Sequence, residues 1–237
     1  MKIALIGYGR MGKTIEKIAV RRGHEIVLKI GRENAEDLTT ERIKSADVAI
    51  DFSLPHTAFH NISVCLEGGV PIVSGTTGWL DRYEEIVEKC KERNGAFFYA
   101  SNFSVGVNIF RVINRRLAEL MNDRPEYEVS LEEIHHIHKL DAPSGTAKTL
   151  AEEIADRLAR KSGYESEGDA VDKIRITSKR EGEVPGTHTI TYTSEIDTLQ
   201  IRHQAHGRQG FALGAVLAAE WLPTKKGVFG MEDLLGL

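Results

Sequence analysis

Cysteine is scarce in this sequence. Two residues of 237, Cys65 and Cys90, build no disulfide framework. They read as small buried hydrophobes in a reducing compartment, so a cytoplasmic location is expected. Long apolar runs are missing as well. Nothing approaches the roughly 20 residues that cross a bilayer, so no membrane partner is expected. Residues 1–7 lack the apolar core and small-residue cleavage site of a signal peptide. Positive charge is not in excess: 31 Lys and Arg face 35 Asp and Glu, a net charge of −4. That excludes a general nucleic-acid binder, which needs a basic face. There is no internal repeat and no low-complexity segment. What is present is ordinary globular composition, 41% hydrophobic and 28% charged. It suffices for one large domain or two small ones, each with a real core.

The first part alternates short apolar runs with helical periodicity. Strands are expected at 2–6, 25–30, 48–52, 70–74 and 96–100. Ile15, Ile18 and Ala19 mark one helix face, ended by Gly23, and Tyr83, Ile86, Val87 and Cys90 mark another. Such alternation implies a doubly wound, Rossmann-like parallel sheet covered on both faces. After about residue 104 the pattern changes. Ile109, Val112, Ile113, Leu117 and Leu120 predict a helix face. Residues 127–137 read as extended, and a helix starts near Ser144 and runs to about 160. Stretches 173–179, 187–194 and 198–204 read as strands, with antiparallel pairing expected between consecutive ones. Residues 211–222 read as a buried helix. The polar stretches 161–169 and 182–186 are expected to be the mobile ones. This second part reads as an α+β domain with a mixed open sheet.

Gly7-Tyr8-Gly9-Arg10-Met11-Gly12 matches G-x-G-x-x-G in a meaningful place, after a strand and opening a helix. Gly7 permits the turn, Gly9 lets the backbone approach a pyrophosphate, and Gly12 allows close helix–strand packing. The helix N-terminus adds unpaired amides and the positive end of its dipole. The motif points to NADPH or NADH. At the end of the second strand an acid normally holds the ribose hydroxyl. Here Gly31 stands in that place and Arg32 follows. An arginine there accepts a 2′-phosphate, which leans the reading toward NADPH. Glu33 remains a second candidate for the ribose, and Arg32 as a plain exposed loop residue remains an alternative.

Residues 133–147, Glu-Ile-His-His-Ile-His-Lys-Leu-Asp-Ala-Pro-Ser-Gly-Thr-Ala, concentrate three of the nine histidines. In a strand His136 and His138 share one face and His135 takes the other. Only two could bind one metal, with no evident third ligand, so no metal is expected. Acid–base chemistry fits better. Histidine titrates nearest neutrality, and Lys139 offers a compact charge with three donors. His135 and Lys139 would lie roughly 13 Å apart along a strand. They reach one small substrate only if the strand breaks near Lys139. Ser144 is a natural N-cap for the helix that follows, and the amides of Gly145 and Thr146 make a second anion site, suited to a carboxylate.

These residues resemble one family, dihydrodipicolinate reductase, also called 4-hydroxy-tetrahydrodipicolinate reductase. The resemblance rests on the glycine loop, on Gly75-Thr76-Thr77-Gly78, on Ser101-Asn102-Phe103-Ser104-Val105-Gly106-Val107-Asn108, and on Glu133 through Ala147. It extends to Arg208 through Phe211, Gly214-Ala215-Val216, Trp221-Leu222 and Gly227-Val228-Phe229. It implies NAD(P)H-dependent reduction of a cyclic imine-type dicarboxylate in lysine and diaminopimelate biosynthesis, by a homotetramer. It implies proton donation by His135 and Lys139, and substrate contacts at His136, Gly145 and Thr146, with Ser144 joining the carboxylate site. Gly75, Thr76 and Thr77 with Ala100, Ser101, Asn102 and Phe103 match the nicotinamide side. Arg208 is placed as a contact to substrate or cofactor. The implied domains are 1–103 plus 212–237 for the dinucleotide and 104–211 for substrate and oligomerisation. Two departures stand out: the glycine loop is one residue shorter than the family's, and Gly31 replaces the common acid. The competing readings are another two-domain NAD(P) oxidoreductase of a small carbonyl substrate, and an NAD(P) sensor without turnover.

Overall fold

The computed structural model describes residues 1–237. The chain divides into two compact units, residues 1–105 with 208–237, and residues 106–207.

The first unit opens with β1 (Lys2–Ile6), α1 (Arg10–Arg21), β2 (Glu25–Ile30), α2 (Thr40–Ile43), β3 (Val48–Asp51), α3 (Pro55–Glu67), β4 (Ile72–Ser74), α4 (Tyr83–Glu92) and β5 (Ala96–Tyr99). After α5 (Val105–Met121), the second unit adds β6 (Glu128–His135), α6 (Gly145–Ala155), β7 (Gly163–Glu165), β8 (Lys173–Arg180), β9 (Thr187–Thr193) and β10 (Thr198–Gln204). The chain then returns to the first unit as α7 (Gln209–Trp221), β11 (Gly227–Phe229) and α8 (Met231–Leu235).

The first sheet is wholly parallel, in the order β11-β5-β4-β3-β1-β2. Strand alternation serves two cores. Ala4, Ile6, Leu28 and Ile30 pack with Ile43, Ile62 and Leu66 of the α2–α4 layer. Ile3 and Leu5 pack with Ile15 and Ala19 of α1 and with Ala215, Val216 and Ala219 of α7. Burial on both faces explains why these strands read as continuous apolar runs. The strand order reverses between β1 and β3. Their carboxyl ends, at Ile6 and Asp51, flank the switch point where such sheets bind ligands.

The second sheet runs β10-β9-β6-β8-β7. Here the sequence reading needs correction. β8 does not pair with β9; it lies parallel to β6, while β9 is antiparallel to both β6 and β10. The α6 link between β6 and β8 makes that crossover possible. Helices α5 and α6 cover one face through Phe110, Leu117, Leu150 and Ile154, against Val129, Leu131, Ile176 and Tyr192.

Three further expectations change. The α5 face is rotated: Ile109, Ile113 and Leu120 are 41%, 46% and 57% exposed, because Asn114 turns inward and donates to the Leu150 carbonyl. Helix α6 stops at Ala155 rather than near 160. The stretch 161–169, expected to be mobile, carries β7, and the Lys161 ammonium is buried on Glu128 Oε1 at 2.5 Å and the Val171 carbonyl at 2.7 Å.

Candidate active site

In the first unit the loop after β1 has the shape its glycines require. Gly7 has φ +89°, and a Cβ there would meet the Phe52 carbonyl oxygen at 2.1 Å. A Cβ on Gly12 would meet the Gly7 carbonyl at 2.5 Å, so helix and loop pack backbone to backbone. Gly9 faces open space and begins α1 with no side-chain cap. The amides of Arg10, Met11 and Gly12 are therefore those a helix start leaves for an anion. The amides of Gly7 and Tyr8 are already spent on the Ile30 carbonyl. Tyr8 donates to Glu16, which pairs with Lys29 at 2.5 Å, and the Lys13 and Lys29 ammoniums lie near the Tyr8 ring. The contact of Glu16 and Lys29 with the glycine loop through Tyr8 was not legible, since one is a helix residue and the other a strand residue. Arg32 is exposed, in a short 3-10 helix that starts after Gly31.

Residues 75–78 are held from below by Asp51, which is fully buried. Its carboxylate accepts from Thr76 Oγ1 at 2.7 Å, Ser74 Oγ at 3.0 Å and Asn61 Nδ2 at 3.1 Å. Burial pushes this carboxyl up, and hydrogen bonds from Ser53, Thr76, Asn61 and Ser74 pull it back. The sequence carried one signal for it, a charged residue inside the otherwise apolar run 48–52. The Thr76 hydroxyl also accepts from the Ser53 amide, and its carbonyl accepts from the Trp79 indole, so its polar atoms serve the protein. Thr77 is exposed. Phe103 turns inward against Phe52 and Phe98, so its ring is core; Ala100 is buried, Ser101 exposed, and Asn102 accepts from the Ser104 amide. Arg208 is exposed at the start of α7 in this unit.

In the second unit β6 ends at His135, because its pairing with β8 stops at Arg180. The amide of Lys139 then donates to the His136 carbonyl and closes a turn. This removes the distance problem: Lys139 does not continue a strand, and His136 and His138 do not share a strand face. His135 and Glu133 both point inward from β6, and His188 of β9 lies behind them with its ring centroid 5.2 Å from that of His135. His135 Nδ1 is 3.0 Å from Glu133 Oε2, an off-line contact, and His188 Nε2 is 3.9 Å from the same oxygen. Glu133 Oε1 accepts from the Ser144 amide and from Arg180, both at 3.1 Å. Arg180 also donates to the carbonyls of Lys139 and Asp141, stapling the turn.

Burial alone pushes the Glu133 carboxyl up. The donor groups of His135, Ser144 and Ser178 close to it outweigh burial and hold the group well below the usual carboxylate range. Burial, reinforced by the charge of His135, pushes the His188 imidazole down to about 4. Lys139 Nζ pairs with Asp141 Oδ1 at 2.7 Å and holds that carboxyl low. Ser144 caps α6 by accepting from the Ala147 amide at 3.2 Å, and its hydroxyl touches His188 Nε2 at 3.3 Å. Both its polar groups are thus engaged, which leaves Gly145, exposed, and Thr146 as the open amides of the helix start. Glu133, His135 and His188 offer three ligand atoms within 4.8 Å of one another, a grouping different from His135, His136 and His138, which cluster in the sequence. Arg180 sets a positive charge against any cation there.

A doubly wound unit with an open glycine loop, in one chain with an α+β unit bearing a histidine and a lysine where a strand turns, defines a two-domain dinucleotide-dependent oxidoreductase. The comparisons narrow the class. The family model described as "Dihydrodipicolinate reductase, N-terminus" matches residues 1–103, and that described as "Dihydrodipicolinate reductase, C-terminus" matches residues 106–235. A 4-hydroxy-tetrahydrodipicolinate reductase of Christiangramia forsetii is 52% identical over 236 residues, covering 99% of this chain and 98% of the relative. One of Methanoregula boonei is 33% identical, covering 100% and 98%. A dipicolinate-bound dihydrodipicolinate reductase from Paenisporosarcina sp. TG-14 superposes with a TM-score of 0.78 at 25% identity, covering 98% of each chain. The chain belongs to the dihydrodipicolinate reductase family.

Proposed function

We propose that the chain reduces 4-hydroxy-tetrahydrodipicolinate to tetrahydrodipicolinate with NADPH or NADH, the 4-hydroxyl leaving as water, as a step of lysine and diaminopimelate biosynthesis. The end-to-end match at 52% identity to a relative of that name carries this reading. The dipicolinate-bound neighbour supports a cyclic dicarboxylate as the ligand.

The glycine loop fits the dinucleotide, because Gly9 leaves its outer side open and α1 starts without a cap. A reduced nicotinamide bound to this unit supplies the hydride. Residues 75–77 and 100–103 contact it mainly through backbone, since Thr76 and Phe103 turn their side chains inward. His135 and Lys139 together deliver the proton that the reduced ring requires. A positioned acid of this kind typically contributes about 10²–10⁴-fold. The amides of Gly145 and Thr146 take one substrate carboxylate, and Lys139 exchanges Asp141 for it. Ser144 supports that site by capping α6, His136 borders it, and Arg208 contacts substrate or cofactor. The same reading makes the enzyme a cytoplasmic homotetramer. Both cysteines are free, and no helix is long and apolar enough to cross a membrane.

The test follows loss of reduced-nicotinamide absorbance with the purified protein. The substrate is generated in place from pyruvate and aspartate semialdehyde by the preceding synthase. Synthase-dependent oxidation is expected, faster with NADPH if Arg32 takes a 2′-phosphate. No oxidation with either cofactor, by protein shown to bind both, sinks the assignment.

A further inference from the structure

Glu133 is a fully buried carboxylate on the inner face of β6, following Val129 and Leu131 in the same alternation. Packing calls for a third aliphatic side chain there, and a buried charge costs free energy unless its partners are close and well placed. The polar contacts of Glu133 fall on Ser144, Arg180, His135 and His188 of the candidate site. One oxygen holds the Ser144 amide and Arg180, each at 3.1 Å; the other lies 3.0 Å from His135 Nδ1, off the line of a hydrogen bond, and neither of those two atoms has another hydrogen-bond partner.

We propose that Glu133 is the positioning residue of this site. Its carboxylate fixes the tautomer and ring angle of His135, and in the same grip it seats the Ser144 cap from which Gly145 and Thr146 present their amides. The inference rests on the reading of His135 as a proton donor. An ionised carboxylate only accepts hydrogen bonds. It therefore requires the proton on Nδ1 and leaves Nε2 as the edge that exchanges a proton with substrate. That edge is kept free by Gly186, at φ +152°, where a Cβ would stand 3.1 Å from Nε2. Arg180 completes the frame from β8 by tying Glu133 to the turn that carries Lys139. One carboxylate thereby locks three parts that must keep register during the reaction: the imidazole, the carboxylate-binding amides and the lysine turn. Glu133 does not touch the substrate and acts through these partners.

The test is Glu133→Gln, which keeps an amide oxygen for Ser144 and Arg180 and turns an N–H₂ toward His135 Nδ1. Nitrogen-15 NMR of the imidazoles reads the tautomer directly, and steady-state kinetics read kcat and KM. In the wild type at a pH where the ring is neutral, we expect Nδ1 protonated and Nε2 bare. In Glu133→Gln we expect the tautomer to invert, kcat to fall about 10–100-fold, and KM to stay within about threefold. A role in stability alone would lower the melting temperature and leave the tautomer unchanged. A bare Nδ1 in the wild type overturns the proposal even if the variant does not fold. An unchanged kcat in folded Glu133→Gln overturns it as well. His135→Gln serves as the reference: if it keeps normal kcat, the donor assignment fails rather than the role of Glu133.

Discussion

His188 sits behind His135 as a neutral wall, 5% exposed and held at about 4 by burial and by the charge of its neighbour. In an unfolded chain the same imidazole titrates near 6.5. Between those values the unfolded state binds a proton that the native state refuses. Stability is therefore intact above about pH 6.5 and falls as pH drops toward 4, by about 3 kcal/mol from this group. Glu133 acts in the same direction further down: its native carboxyl is held low, so the stability it contributes is lost as pH falls below its ordinary range. Melting temperature against pH is expected to fall steeply for the wild type between 6.5 and 4, and less steeply for His188→Gln. The comparison is of slopes, since the substitution has its own cost at neutral pH; equal slopes would mean that the native ring is already charged. The contrast between His135 and His188 also shows what a sequence reveals at this scale. His135 was legible because it sits in a dense local cluster with Lys139. Glu133 shares the inner face of β6 with His135, two residues away, whereas Arg180 and His188 come from β8 and β9, and β-pairing alone brings them in.

Helix α7 shows what an element's sequence discloses and what it hides. Its run of small apolar residues announces burial, yet no amphipathic period says which neighbours it meets. The structure supplies the reason: Ala212, Gly214, Ala215, Ala218 and Ala219 let it lie closely on α1 and the sheet. Gly214 is the tightest point, where a Cβ would stand 1.8 Å from the Phe103 carbonyl oxygen. Gly214→Ala is expected to destabilise by about 3 kcal/mol, a fall in melting temperature of roughly 10 °C, and to displace residues 100–103. Gly210→Ala, whose Cβ would come no nearer than 3.8 Å to Ser104 Oγ, is expected to be neutral or to gain up to about 1 kcal/mol of helix propensity. Equal losses in a thermal melt would show that α7 can shift to make room. Elsewhere β1, β3, β4 and β5 were readable because burial on both faces makes them mostly apolar, and the edge strand β2 because Ile26, Val27, Leu28 and Ile30 still form an apolar run. Helix α3 was not, because Asn61, Ser63 and Cys65 are buried with Ile62 and Leu66 and blur its period. Strands β7 and β11 have three residues each, too few for any period to emerge. The parallel β6–β8 pairing escaped because adjacency in sequence favours hairpins, and only the α6 crossover overrides that preference.

At the scale of the whole molecule the second sheet presents an uneven balance. Both helices of its unit lie on one face. The other face carries Ser130 and Glu132 of β6, Thr177 and Lys179 of β8, Thr189 and Thr191 of β9, and Gln200 and Arg202 of β10, with no helix of the unit over it. The pattern explains why this half of the sequence alternates while the first half does not, since an antiparallel sheet tolerates one polar face. Its edge strand β10 pairs only with β9, so a row of backbone groups is left without a strand partner. A second copy of the chain would satisfy both features, which is the arrangement expected if the homotetramer proposed above is built on this face. Thr191 lies between Ser130 and Gln200 in register, at the middle of the surface. Thr191→Lys places a cation there in every copy, and under the symmetry of a homo-oligomer those cations face one another. Sedimentation velocity is expected to show a tetramer for the wild type and a shift to dimer or monomer for Thr191→Lys, with unchanged far-UV circular dichroism. The shift should reverse partly in high salt, because screening weakens repulsion between exposed charges. A tetramer that survives the substitution would place the subunit contacts on another surface, with α5 and its exposed Ile109, Ile113 and Leu120 the next one to probe.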